Sequence, residues 1–252
     1  MKCAKKCIET LVILCCVAFG WTPVLAYVSE GPCVDADNNH LKVSGFINSS
    51  EVDYKLKMDN ADDLNIEVER KFIGVSLTKR LNKKMDIYGS LGYLFDGSLK
   101  PDRRYDYDLD SGYFLSAGAR YMMVQSGNVS AHIFGQLDYI LEEQFSSSSN
   151  GFDYDMEFDG YELSIGGTIR FQINKDFSTY AGISFVPLAD TTFDAERTGG
   201  GPTIKSDGDL ERDDDLGLKV GASYLIDKQW SIRGEADFVS EKAFVLSAGM
   251  KF

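Results

Sequence analysis

Two histidines, His40 and His132, are the only imidazoles in the 252 residues, and only His132 stands among other side chains capable of chemistry. Gln136 and Asp138 follow it at even spacing, so in an extended chain all three point the same way. A histidine supported by a carboxylate is the arrangement of a general base. The same parity carries more charge in other stretches: Arg120, Glu162, Arg170, Lys219, Arg233, Glu235 and Asp237. Basic and acidic groups confined on one face either pair with one another, because buried charge must be compensated, or line a selective passage. Pairing is the expectation, with His132 one member of the network. No Ser–His pairing is legible, so no catalytic, metal-binding or cofactor-binding residue is assigned.

Acidic residues recur in a second setting. Asp106, Asp108 and Asp110 alternate, as do Asp153, Asp155, Glu157 and Asp159, while Asp213, Asp214 and Asp215 are consecutive. "DYDLDSG" partly follows a calcium-loop pattern, but its glycine is one place late and the distal acidic ligand is missing. Solvated loop acids are the expectation, and a weak divalent-cation site is the alternative.

The elements that must position these residues are strands. Ten stretches alternate with period two: 41–48, 66–81, 84–96, 113–125, 128–143, 161–174, 177–188, 215–226, 229–239 and 243–252. Their connections alternate in length. "LNKK", "QSGN", "INKD" and "IDKQ" are tight-turn clusters, whereas 49–65, 96–112, 142–160 and 189–215 read as long loops. From the third stretch onward one face is apolar and the other holds the charges named above. The first two stretches break this rule: Val52, Tyr54 and Leu56 oppose the parity of Val43 and Ile47, which calls for bulges or for strands continuing past the apolar belt.

Rings on the apolar face gather at both strand ends. Tyr121, Phe171, Tyr224, Trp230 and Phe252 lie beside the short turns; Tyr93, Tyr113, Tyr139, Tyr161, Phe238 and Phe244 lie beside the long connections. Eight to ten residues separate the two sets, as in Tyr113 to Tyr121 and Tyr161 to Phe171. At about 3.3 Å per residue and a tilt near 40°, that spacing projects to roughly 20 to 25 Å, the height of an apolar band bounded by aromatic girdles in a transmembrane barrel. The expected fold is therefore all-β, a closed antiparallel up-and-down barrel of ten strands, with eight strands plus an external hairpin as the alternative. Closure is required because lipid offers no partner for an open strand edge.

The terminal segment "FVLSAGMKF" places Phe244, Leu246, Ala248, Met250 and Phe252 on one face. It resembles the C-terminal signature of bacterial outer-membrane β-barrel proteins, and the chain is similar to the broad class of outer-membrane protein A-like and opacity-type barrels. The resemblance implies that this segment is an assembly signal for the barrel assembly machinery, and that lipid and lipopolysaccharide of the outer membrane surround a monomeric barrel.

At the N-terminus Lys2, Lys5 and Lys6 precede "LVILCCVAFG" and then "WTPVLA". An apolar run of about ten residues fits an export signal and falls short of the roughly 20 needed by a spanning helix. The expected organisation is a signal peptide at 1–26 cleaved after Ala26, a periplasmic segment at 27–40 and the barrel at 41–252. Four of five cysteines fall in the signal, leaving Cys33 with no internal disulfide partner. A net charge of −13 excludes nucleic acid as an expected partner. The expected function is non-enzymatic, structural or surface-interacting, with a charge-plugged lumen; a narrow pore is the alternative and a rim hydrolase using His132 or loop acids the third.

Overall fold

A computed structural model describes residues 41–57, 64–101, 107–149, 152–199, 203–212, 215–239 and 242–252. The expected signal at 1–26, the segment 27–40 with Cys33 and His40, and Asp106, Asp213 and Asp214 lie outside the described residues. Among the described residues eleven strands form one antiparallel sheet: β1 (Leu41–Lys57), β2 (Leu64–Arg80), β3 (Met85–Pro101), β4 (Tyr107–Ser126), β5 (Val129–Ser149), β6 (Phe152–Gln172), β7 (Phe177–Thr198), β8 (Ile204–Arg212), β9 (Leu216–Leu225), β10 (Trp230–Val239) and β11 (Lys242–Lys251). The sheet closes on itself. β1 pairs with β11 from Lys42↔Lys251 to Glu51↔Lys242, and the main chains of Leu41 and Phe252 exchange the last bonds of the seam.

Two circuits of hydrogen bonds share β1 to β7. On the side of the short turns, β7 pairs with β9 over Phe177 to Phe185, and β9, β10 and β11 lead back to β1. Beyond that level β7 continues and pairs instead with β8, which reaches β1 directly through Tyr54↔Arg212 to Lys57↔Asp209. The strand absent from the sequence reading is thus β8, which lies in the segment read as the loop 189–215. The other long connections are also largely strand: β3 runs to Pro101, β5 to Ser149, and β6 starts at Phe152.

Both tiers alternate with period two and with opposite polarity. In the turn-side tier the outward residues are apolar, including Ile47, Ile73, Val75, Leu77, Leu91 and Leu115, and the inward ones are polar, such as Ser44, Ser76, Ser90 and Ser116. In the loop-side tier the assignment reverses. Val52, Tyr54, Leu56, Ile66, Val68 and Phe158 face in, while Asp155 and Glu157 are exposed. β1 and β2 stay in unbroken register over this reversal, from Leu41↔Lys79 to Leu56↔Leu64. The parity break in the first stretches is therefore a switch of apolar residues from the outer to the inner face along continuous strands, and no bulge separates β1 from β2. Bulges do occur elsewhere, between Lys71 and Phe72 against β3, between Ile140 and Glu143 in β5, and between Leu163 and Ile165 against β7. The last of these admits Pro187, which cannot donate to a ladder.

Three short turns share one construction. Leu81, Ile173 and Ile226 donate to the carbonyls of Met85, Phe177 and Trp230 at 2.9, 3.0 and 2.9 Å. Inside each turn an Asn or Asp side chain caps main-chain N–H groups: Asn82 Oδ1 accepts from Lys84, Asn174 Oδ1 from Asp176 and Phe177, and Asp227 Oδ1 from Gln229 and Trp230. The fourth turn uses Gly127 at φ 56°, a conformation glycine adopts without strain.

Candidate functional site

The interior is the candidate site, and every charged residue expected to face it is buried there: Arg120, His132, Asp138, Glu162, Arg170, Lys219, Arg233, Glu235 and Asp237. Strand periodicity alone brings them in. Eight of them, all but Arg233, fall into three groups, stacked from the turn side to the loop side.

Nearest the turns, Arg80, Asp86 and Arg120 are register neighbours on β2, β3 and β4. Asp86 accepts from Arg80 Nε at 2.9 Å and from Arg120 Nη2 at 2.7 Å. His132 follows on β5, its Nε2 2.9 Å from Ser130 Oγ, and Arg170 on β6 donates to Gln172 Oε1. The expectation of no Ser–His pairing is corrected: Ser130 and His132 share a face because they are two residues apart on a strand. The register sets His132 diagonally between Arg120 and Arg170.

The middle group gathers Lys219, Asp237, Glu235, Tyr180, Gln136 and Asp138. Lys219 Nζ lies 3.8 Å from Asp237 and 5.1 Å from the centre of the Phe134 ring, and Tyr180 donates to Glu235. Gln136 Nε2 reaches both oxygens of Asp138 at 2.9 and 3.0 Å, so this carboxylate holds an amide. Glycines opposite the large rings admit them: a Cβ on Gly118 would come within 2.5 Å of the Tyr88 ring. The Tyr180 ring occupies the equivalent space over Gly221.

On the loop side a chain of ion pairs crosses the interior. Arg70 Nε and Nη2 donate to the two oxygens of Glu143 at 2.5 and 2.7 Å, and Arg70 Nη1 donates to Tyr54 Oη at 3.4 Å. Tyr54 donates to Glu162 Oε1 at 3.4 Å, and Arg212 closes the chain on Glu162 Oε2 at 2.5 Å. The sequence reading missed Arg70, Arg80, Glu143, Arg212 and Tyr54. Parity with Val68 and Phe72 could have found Arg70, whereas Glu143 fell where the expected strand 128–143 met the expected loop 142–160, and Arg212 fell in a segment read as a loop. Around and above this chain lies an apolar core of Val52, Leu56, Ile66, Val68, Phe72, Leu94, Leu99, Phe114, Phe145, Phe158, Phe193 and Leu210. Its rings interlock, with centroids 5.6 Å apart for Phe72–Phe114, 5.2 Å for Phe145–Phe158 and 5.3 Å for Phe158–Phe193. Dispersion and burial hold such a cluster as they hold any protein core.

Outside, the expected girdle residues Tyr93, Tyr113, Tyr121, Tyr139, Phe171, Trp230, Phe238, Phe244 and Phe252 are exposed. Tyr161 and Tyr224 are half-buried, Tyr161 with its hydroxyl bonded to Asp190 across the strand pair. In the terminal segment Phe244, Leu246 and Phe252 point outward, and Ala248 and Met250 keep the outward parity. Between the two rows of rings the outer wall is apolar nearly throughout, a surface far larger than water-soluble monomers expose. Among the described residues no three His, Cys, Asp or Glu side chains gather as a metal ion would require.

No protein-family model and no curated sequence matches the chain. Solved structures do. The outer membrane protease OmpT from Escherichia coli superposes with a TM-score of 0.51 at 12% identity, over 88% of this chain and 99% of that one. The fold is that of an outer-membrane β-barrel. The translocator domain of the autotransporter NalP from Neisseria meningitidis gives a TM-score of 0.50 at 10% identity, over 87% and 91% of the two chains. These identities speak for shared architecture, and the chemistry has to be read from this chain's own residues.

Proposed function

We propose that the chain is a non-enzymatic barrel of the Gram-negative outer membrane, with a structural or surface-interaction role and a closed lumen. The observation that carries this reading is the filled interior of the loop-side tier, where the ring core and the Arg70–Glu143 and Arg212–Glu162 pairs occupy the space a conducting path would need. In this reading ten strands, all but β8, form the lipid-spanning belt between the two rows of rings. The short turns face the periplasm, and the loop-side tier stands clear of the membrane with its acidic outer wall toward the surroundings. The segment 1–26 directs export and is removed, and the terminal face from Phe244 to Phe252 engages the assembly machinery. Lipid and lipopolysaccharide surround a monomer.

Planar-bilayer recording tests the closed lumen. The expected result is no conductance above that of lipid alone, and steady ohmic steps would replace this reading with the narrow pore. Lipid- or peptide-hydrolysing activity abolished by His132→Ala would instead establish the enzyme.

A further inference from the structure

Outward lysines keep different company at the two ends of the barrel. On the outer wall of the loop-side tier Lys57 lies 2.6 Å from Glu211 and Lys100 2.6 Å from Glu69, while Lys71 pairs with Asp96 and Lys242 with Glu51. At the β2–β3 turn, Lys79, Lys83 and Lys84 meet no carboxylate among the described residues. The nearest acid in sequence, Asp86, faces inward and is shared by Arg80 and Arg120. Three outward cations within six residues therefore present their charge to the surroundings.

The turn sits where the apolar wall ends. Lys79 is half-buried on the outer face between its register neighbours Leu41 and Ile87, both exposed. A lysine in such a place lays its methylenes along apolar surface and carries its ammonium to the polar boundary. Lys84 holds its ammonium 6.0 Å from the centre of the ring of Tyr121, a girdle residue on β4. Leu81 opens the turn and is exposed, and Asn82 fixes it by accepting from the Lys84 main chain. Apolar side chains, a ring and three ammoniums thus share one outer surface, with the charge at its rim. The other short turns lack this combination: 126–129 holds no lysine, and Lys175 and Lys228 each stand next to an aspartate, Asp176 and Asp227.

From this arrangement we propose that the β2–β3 turn is a docking point for an anionic glycerophospholipid of the turn-side leaflet. Lys79, Lys83 and Lys84 engage its phosphate, and an acyl chain lies along Leu41, Ile87 and Tyr121. This docking rests on the outer-membrane reading, because a wall embedded in lipid is what brings the turn to the headgroups. Charge selects the partner. A zwitterionic headgroup brings its own cation with the phosphate, whereas a lipid of net negative charge does not. Each lysine near an anionic bilayer surface is favoured by about fivefold.

The test places a fluorescent probe beside the turn. The full chain carries Trp21→Phe, Trp230→Phe and Ile87→Trp, so that its one indole stands on the outer face between Lys79 and Ala119. It is refolded into phosphatidylcholine vesicles containing a minor fraction of either phosphatidylglycerol or phosphatidylcholine brominated in the acyl chains, and quenching is compared at equal bromine content. Quenching should show phosphatidylglycerol favoured at the probe by about fivefold or more, with the preference falling as salt is raised. Lys79→Gln, Lys83→Gln and Lys84→Gln together should abolish the preference, and arginine at the same three positions should keep it. Lys57→Gln, at the other end of the barrel, should leave it unchanged. Each variant is accepted only if its folded and boiled forms migrate differently. Equal quenching by the two lipids, or a preference that survives the triple glutamine variant, overturns the docking point and leaves the membrane barrel standing. No quenching by either lipid refutes the outer-membrane reading, and the docking point with it.

Discussion

Arg70 and Glu143 decide whether the loop-side tier is a dry core or a wetted channel wall. Both side chains are wholly removed from solvent and are joined by two bonds of 2.5 and 2.7 Å. Arg70 also packs its guanidinium 5.7 Å from the centre of the Tyr54 ring. Arg70→Met would leave the Glu143 carboxylate without its bidentate partner beside Phe72 and Phe145. In a dry interior, breaking a buried pair in this way costs about 3 to 5 kcal/mol. In a hydrated one the carboxylate would turn to water, and the cost would fall to about 1 kcal/mol or less, as for exposed pairs. The double variant Arg70→Met with Glu143→Leu separates the two cases further. Replacing both charges with apolar groups of similar volume is commonly neutral or stabilising by about 1 to 4 kcal/mol. The assay is equilibrium urea unfolding of the barrel in lipid vesicles, followed by the fluorescence of Trp230, with the four proteins forming a double-mutant cycle. A large loss in each single variant that disappears in the double variant is expected. If Arg70→Met loses no more than about 1 kcal/mol, the dry core is refuted, and with it the argument for a closed lumen.

Four further outcomes follow from named contacts. Phe158→Ala removes a ring that packs on both Phe145 and Phe193, and should destabilise by about 3 to 5 kcal/mol in the same unfolding assay. Ile133→Arg puts a charge on the outward belt between Val129 and Tyr139, and should cost about 2 to 4 kcal/mol in vesicles, the penalty for arginine near the bilayer midplane. Asp227 accepts from the main-chain N–H groups of Trp230 and Gln229, which hold its carboxyl below the usual range; its contribution is present above the ordinary carboxylate value and lost as pH falls through the lowered one, so Asp227→Ala should flatten that part of the stability–pH curve. Val239 at φ 86° holds a β-branched residue in a region suited to glycine, and Val239→Gly should raise stability by about 1 to 3 kcal/mol.

Much of the turn-side tier was legible because alternation there has one meaning over many strands. Ile87, Leu91 and Tyr93 face out and Asp86 and Ser90 face in, as the period required. The loop-side tier obeys the same period with the sign reversed, and a single-sign reading takes such segments for loops. Phe152 to Gly160 shows why: its acids at 153, 155, 157 and 159 look like solvated loop residues, yet Tyr154, Met156 and Phe158 between them turn toward the core. The charge network was half legible for the same reason. Arg120, His132, Arg170 and Arg233 sit where the alternation was already anchored, whereas the partners that close the loop-side chain sit where it had inverted. Nothing local marks Arg212 as the partner of Glu162, because that contact depends on β8 crossing to β1.

That crossing also accounts for the change of interior. A barrel's diameter grows with the number of strands in its circuit, and eight is about the number at which side chains alone fill the space. The turn-side circuit runs through ten strands and the loop-side circuit through eight, because β8 bypasses β9, β10 and β11. The wider circuit leaves room for arginines, glutamine and hydroxyls whose polar ends must find partners or water. In the narrower one opposite walls approach, and Leu56, Leu210 and Phe193 complete a core with Phe158 and Phe145. The inversion of polarity and the loss of strands are then one event seen twice: where apolar residues turn inward, drawing the walls together buries them, and β8 is the strand that does so.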